Sequence, residues 1–126
     1  MPKYSNKSIK ILNTAHPQLQ KLFNEAIKYV DISIVCGYRG QLEQQNAYNK
    51  GNSKVQWPNS KHNKQPSMAV DFKPYPDGKA IDYVYVAGII MGIAKMLKIN
   101  IKYGGDWNNN FKASDESFLD GGHIEL

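Results

Sequence analysis

The sequence predicts an α+β fold: helices packed on one small, mostly antiparallel sheet, with a polar metal-binding site on the sheet face. Three observations lead there. Apolar residues recur at helical spacing in some segments and alternate at period two in others, and the two kinds are mixed with few clear βαβ units. The 126 residues suit one compact domain, taken as 1–126. The single cysteine, Cys36, excludes an internal disulfide, so a buried core must hold the fold.

The elements follow in order. Pro17 suits a first helical turn, and Leu19, Leu22, Phe23, Ala26, Ile27 and Val30 share one face, so a helix is expected over 17–30. His16 reads as a polar residue at its start. "DISIVCGYR" is a strand with Ile32, Ile34, Cys36 and Tyr38 on one face, which makes Cys36 an inert buried thiol and Tyr38 a packing residue. "GQLEQQNAYNKG" is a second helix closed by Gly51, and "NSKVQWPNSKHNKQPS" is a long polar loop. "MAVDFKPY" is a strand ended by Pro74 and the turn "PYPDGK". A third helix covers 82–97. Its uncharged apolar span of about a dozen residues is too short for a bilayer and reads as core, so no stable membrane insertion is expected. Gly88 and Gly92, four apart on it, would let a neighbouring element approach closely. "NIKYGGDW" is a short strand running into a Gly-rich bend, "NNNFKASDESFLDGG" a loop, and "HIEL" the final strand.

The formal net charge of +5 suits an anionic partner: nucleic acid, an anionic membrane surface or an acidic wall polymer. The lysines are dispersed and no aromatics interleave with a basic run, so no nucleic-acid footprint is visible. The opening "MPKYSNKSIKILNTAHPQ" lacks the apolar core of a signal peptide, which points to a chain made in the cytoplasm.

The chemistry rests on three segments. Asp71 alternates with Val70 and Phe72 in a strand, where an unpaired carboxylate is costly. In "DGGHIEL", alternation sets His123 and Glu125 on one face and Ile124 and Leu126 on the other. If the two strands are neighbours, Asp71 and His123 converge, and His62, at the end of the long loop, can close over them. Two neutral imidazoles and a carboxylate with a fourth position open are a common catalytic zinc set, and Zn²⁺ would be the charge partner of Asp71. With one cysteine, metal ligands must come from His and carboxylates. Asp120, three residues before His123 across Gly121–Gly122, can reach back as a general base. Spacing alone leaves the alternatives open: a salt-bridged Asp71, a hydrogen-bonded His62 and a surface-strand His123. Glu125 either orients His123 or forms a sheet-edge ion pair. Trp107, after the Gly104–Gly105 bend, lines a cleft or joins the core, and Trp57 is expected to be partly exposed. Asp106, Asn108 and Asn110 have the spacing that opens a calcium loop, with Asp115 and Glu116 as further oxygen donors. Phe111 stands where such a loop needs glycine, which favours a solvated polar loop.

"SKHNKQPSMAVDF" resembles the S-x-H…A-x-D signature of the D-alanyl-D-alanine and L-alanyl-D-glutamate zinc metallopeptidases. "DGGHIEL" resembles their closing D/E-x-x-H motif, "CGYRGQLEQQNAYNKG" their G-x-R…Q…G segment, and "YGGDW" the bend before the last motif. The order is the family's and the motifs span most of the chain. The resemblance implies one Zn²⁺ held by His62, Asp71 and His123, with Asp120 as general base and Arg39 on the scissile carbonyl oxygen. Ser60 would be a supporting residue, either behind the ligands or touching substrate. The gap from His62 to Asp71 is two residues longer than in the shorter form of the motif, with Pro66 and Ser67 in the extra turn. Compactness, an Asp in the last motif and the absent signal peptide look most like small phage endolysins, some of which use Ca²⁺ near this loop. The implied activity is endopeptidase cleavage of the L-alanyl-D-glutamate bond in peptidoglycan stem peptides. The alternatives are a D-alanyl-D-alanine carboxypeptidase or dipeptidase, and a non-catalytic wall-binding zinc module. A monomer with no separate wall-binding domain, released to the wall by another protein, completes the expectation.

Overall fold

The computed structural model describes residues 2–114 and 120–126. In order these form α1 (Asn6–Leu12), α2 (Pro17–Ala26), β1 (Ile32–Cys36), α3 (Gln41–Asn49), a 3₁₀ turn (Lys61–Asn63), β2 (Ala69–Pro74), α4 (Ala80–Met96), β3 (Lys102–Tyr103) and β4 (His123–Glu125). The strands make one sheet in the order β1-β2-β4-β3, and every pairing is antiparallel. The expected α+β architecture is the observed one.

Alternation along the central strands decides which face is which. Val70, Phe72 and Ile124 point to one side, where they meet Leu19, Leu22 and Phe23 of α2 and Ala87 and Ile90 of α4 in one buried cluster. Each large apolar side chain buried there contributes about 1.5–3 kcal/mol. The core leaves the opposite face of β2 and β4 for Asp71, His123 and Glu125.

Local chemistry sets the element ends. His16 caps α2, its Nδ1 accepting the Gln18 N–H at 3.1 Å, which is the helix-start role expected of it. The helix stops at Ala26 rather than residue 30; residues 27–30 continue as turns, and Ile27 and Val30 still reach the core. The Asp82 carboxylate accepts the Lys79 N–H at 2.8 Å, so α4 begins at Ala80, two residues earlier than expected. Helix α1 was not foreseen. Its seven residues are too few for a periodic signal, and it is fixed by the Ser8 hydroxyl accepting the Ile34 N–H of β1 at 3.0 Å.

Two expectations are corrected. Gly88 and Gly92 are exposed, and nothing lies within 4 Å of where their Cβ atoms would stand. Helix α4 turns Val86, Ala87, Ile90, Ile93 and Ala94 to the core, so the glycines face solvent and receive no neighbour. Cys36 is not a buried core thiol. Ile34 pairs with Phe72, but Cys36 pairs with Asp71, so a β-bulge inserts one residue between them. The bulge moves Cys36 to the Asp71 face and breaks the face shared with Ile32 and Ile34; Tyr38 beyond it is only half-buried. Among the described residues no helix is long and apolar enough to cross a membrane.

Candidate metal centre

The β2–β4 register sets Asp71 directly opposite His123 on the polar face of the two central strands. Directly paired residues project to the same side, so the two side chains meet without any loop rearrangement. Asp71 Oδ1 lies 3.1 Å from His123 Nδ1 and 3.1 Å from His62 Nε2. Each ring has its other nitrogen engaged: His62 Nδ1 with the Gly37 carbonyl at 2.8 Å, His123 Nε2 with Glu125 Oε1 at 2.8 Å. Both outer partners are acceptors, so in the neutral rings the proton sits on the outer nitrogen. A lone pair on each ring then faces Asp71.

His62 comes from a long loop, yet its position is tightly determined. The Ser60 hydroxyl accepts the His62 N–H at 3.1 Å, and Asn63 Oδ1 accepts the Ser60 N–H at 3.0 Å, capping the 3₁₀ turn. The Arg39 N–H donates to the His62 carbonyl at 2.8 Å, and Met68 N–H to that of Lys61 at 3.0 Å. Ser60 thus serves as the cap of the ligand turn, and it also lines the cleft.

Arg39 is braced from both sides. Its Nη1 donates to Gln44 Oε1 at 3.1 Å, and its Nη2 lies 3.5 Å from Asp71 Oδ2. Asp120 Oδ2 stands 3.9 Å from His123 Nδ1, at the edge of the donor cluster. The Asp120 backbone is clamped to the Gly104 bend: its N–H donates to the Gly104 carbonyl at 2.9 Å, and Gly104 N–H donates to the His123 carbonyl at 2.8 Å. The half-buried Trp107 ring lies over His123, centroids 5.5 Å apart. A cleft of about 660 Å³ opens over these groups, with Lys54, Lys61 and Glu125 also on its walls.

The electrostatics are those of a site built for positive charge. Burial opposes protonation of His62, but hydrogen bonds and charges from Asp71 and Cys36 overcome it and push its pKa up to about 10. Burial likewise opposes protonation of His123, and hydrogen bonds to Asp71 and Glu125 lift it to about 9. Burial disfavours ionised Asp71, yet the two imidazoles hold its carboxyl far below the usual range. Asp120 moves the other way, because burial and then the charge of Asp71 raise its pKa. In Glu125, burial is outweighed by the hydrogen bond from His123, with Lys61 and Lys102 adding to it, and the pKa falls.

Among the described residues, two groups of donors have atoms within 4.8 Å of one another, Asp71–Asp120–His123 and Cys36–His62–Asp71. Asp71 belongs to both. His62 and His123 fall in different groups, so in this structure they meet through Asp71 and not directly. A divalent cation suits the donor types, a carboxylate and two imidazoles whose outer nitrogens are already engaged. Cys36 Sγ lies within reach of that cluster, which the assignment of metal ligands to His and carboxylates alone did not anticipate.

His62, Asp71, His123, Asp120, Arg39, Ser60 and Trp107 are therefore brought to one cleft. Trp57 is half-buried, as expected, and lies outside the cleft lining. The Asp106 carboxylate accepts the N–H groups of Asn110 at 3.1 Å and Phe111 at 2.9 Å, and Asn110 Oδ1 accepts that of Lys112 at 2.9 Å. The oxygens of the calcium-like spacing hold their own loop; Asp115 and Glu116 lie outside the described residues. Gln44 was missed. It is fully buried, accepts from Arg39 and Asn63, and donates to Ser53 Oγ and the Val55 carbonyl. Three glutamines share its segment, and only the buried side of α3 singles it out.

The model of the family described as phage L-alanyl-D-glutamate peptidase matches residues 1–126. The chain is 33% identical over 135 residues to the L-alanyl-D-glutamate peptidase of Escherichia phage T5, covering 98% of this chain and 97% of that protein. The fold matches the crystal structure of the Serratia marcescens L-Ala D-Glu endopeptidase ChiX with a TM-score of 0.75 at 24% identity, over 98% of this chain and 90% of that one.

Proposed function

The chain belongs to the phage L-alanyl-D-glutamate peptidase family, and from that premise we propose that it is a zinc-dependent endopeptidase cleaving the L-alanyl-D-glutamate bond of peptidoglycan stem peptides. The observation that carries the metal half of this reading is the convergence of His62 Nε2 and His123 Nδ1 on one oxygen of Asp71 at 3.1 Å each. These three residues would hold the ion. A zinc ion held there would supply Lewis-acid chemistry, polarising the scissile carbonyl and lowering the pKa of a water towards about 7.

The chain's own residues do the rest. Asp120 takes a proton from the attacking water and delivers it to the departing amine of D-glutamate, so the transfer balances over one turnover. The raised pKa of its carboxyl suits both halves of that task. The Arg39 guanidinium donates to the carbonyl oxygen as negative charge grows there, and Gln44 keeps it aimed. Trp107 lines the cleft and would contact the stem peptide beside the metal. One domain carries the whole reaction, and a separate membrane-permeabilising protein would deliver it to the wall.

Digestion of purified peptidoglycan with and without a chelator, followed by zinc add-back, tests this reading. Mass spectrometry should detect stems with a new amino-terminal D-glutamate, lost on chelation and restored by zinc. Release of free D-alanine instead would support the trimming alternative. Asp120→Ala should bind zinc and lose about 10²–10⁴-fold in rate; lysis at the wild-type rate would remove Asp120 from the mechanism.

A further inference from the structure

We infer that Glu125 is a positioning residue for the metal: it fixes His123 as the Nε2–H tautomer and turns its Nδ1 towards the ion. The inference rests on the zinc reading above. The carboxylate lies on the same strand face as the imidazole, two residues on, and its Oε1 sits 2.8 Å from Nε2, the shortest contact that ring makes. Both side chains are shielded, His123 being 8% and Glu125 17% exposed, so water competes poorly for the contact. The ring has little freedom besides this. Trp107 packs against it at a tilt, ring centroids 5.5 Å apart, and Asp71 and Asp120 lie on the Nδ1 side.

The two histidines are not treated alike. The outer nitrogen of His62 meets a neutral backbone carbonyl, that of Gly37. That of His123 meets a carboxylate. An anionic acceptor draws the N–H proton towards itself and leaves more electron density on the opposite nitrogen, which makes His123 the stronger donor. Lys102 stands opposite Glu125 in the β3–β4 register and offsets its charge, so the carboxylate is not isolated beside the ring. A bare Lys102–Glu125 cross-strand ion pair would need no contact with His123.

Two variants separate positioning from structure. Glu125→Gln keeps an oxygen that can accept from Nε2–H and removes the charge; Glu125→Ala removes both. Zinc affinity is read by competition with a fluorescent chelator, and the melting temperature of the metal-free proteins is recorded alongside. Positioning predicts a zinc dissociation constant raised about tenfold in Glu125→Gln and up to about 100-fold in Glu125→Ala. At saturating zinc it predicts a lower kcat with KM unchanged. A purely structural Glu125 predicts lower melting temperatures with zinc affinity within about twofold of wild type in Glu125→Gln, and that result overturns the inference. Wild-type protein that binds no zinc fails the zinc reading itself, while tight wild-type binding with unaffected variants fails only the role of Glu125. Should Glu125→Ala not fold, the Glu125→Gln comparison decides alone.

Discussion

Replacing Gly104 by alanine should disable the site without changing a single donor atom. Its backbone is not in the left-handed region, so alanine meets no conformational penalty there, and the obstacle is space. An added Cβ would stand 2.4 Å from the Asp120 carbonyl oxygen and 2.9 Å from the Cβ atoms of both Asp120 and His123. Ordinary contact begins near 3.4 Å, so the bend and the start of β4 must part by about 1 Å. Two backbone hydrogen bonds of 2.8 and 2.9 Å join these segments and would be stretched. Overpacking of this kind costs about 1–3 kcal/mol. Over 126 residues that lowers the melting temperature by about 4–11 °C. The same displacement moves the proposed base and one ligand together, and a misplacement of about 1 Å costs on the order of 10²-fold in rate. The assay is release of peptides with new amino-terminal glutamate at saturating zinc, with a thermal melt of each protein. Gly92→Ala is the control: nothing lies within 4 Å of its Cβ, so it should gain about 0.5–1 kcal/mol of helix stability and keep wild-type activity. If Gly104→Ala melts with the wild type and keeps activity within about threefold, the clamp is not what holds Asp120 and His123 in place.

Gln44→Leu should lower stability to urea by about 1–3 kcal/mol, because Arg39 Nη1 loses its Gln44 acceptor while Asn63 Nδ2 and the Val55 carbonyl each lose one of two partners; an unchanged unfolding midpoint would deny the network any role. The metal-free protein should lose stability as the solution turns alkaline. Its His62 and His123 pKa values, about 10 and about 9, exceed the unfolded value of 6.5, so their contribution is complete below pH 6.5 and vanishes as pH climbs through the folded values. The depressed Asp71 contributes above its unfolded value of 3.8 and is lost only on strong acidification. Zinc needs neutral imidazoles, so the gap between zinc-loaded and metal-free melting temperatures should widen from about pH 6 to 9. A metal-free melting temperature that stays flat from pH 6.5 to 10 would reject the ion-pair description.

Much of the fold could be read from local patterns, and the failures have physical causes. Helix α2 and strands β1 and β2 announce themselves because burial on one face imposes a period on the residues. Helix α1 does not, because only Ser8 and Leu12 of its seven residues are buried and two points define no period. The Gly88–Gly92 spacing suggested a close approach, but spacing gives the side of a helix and not what faces it. The β1 bulge is the most instructive miss. Alternation assumes an unbroken pleat, and one inserted residue carried Cys36 from the core side to the side of Asp71.

The site divides along the same line. Alternation set Asp71 and His123 each on the polar face of its strand, but that the two strands are neighbours, with Asp71 opposite His123 and Val70 opposite Ile124, is what the structure adds. His62 could not be placed by periodicity, since it ends a loop; the family's motif supplied it. What holds it is the cap formed by the Ser60 and Asn63 side chains together with two backbone partners, the Gly37 carbonyl on its ring and the Arg39 amide on its own carbonyl. Backbone groups are the same for every residue type, so a sequence cannot advertise them. The same reasoning explains Gln44, whose importance comes from what surrounds it and not from its type. A donor set assembled from two adjacent strands and one stapled turn should therefore tolerate changes in loop length better than changes in strand register. An insertion after Lys54 is the milder perturbation, and a one-residue deletion between Met68 and Asp71, which would turn Asp71 to the core, is the lethal one.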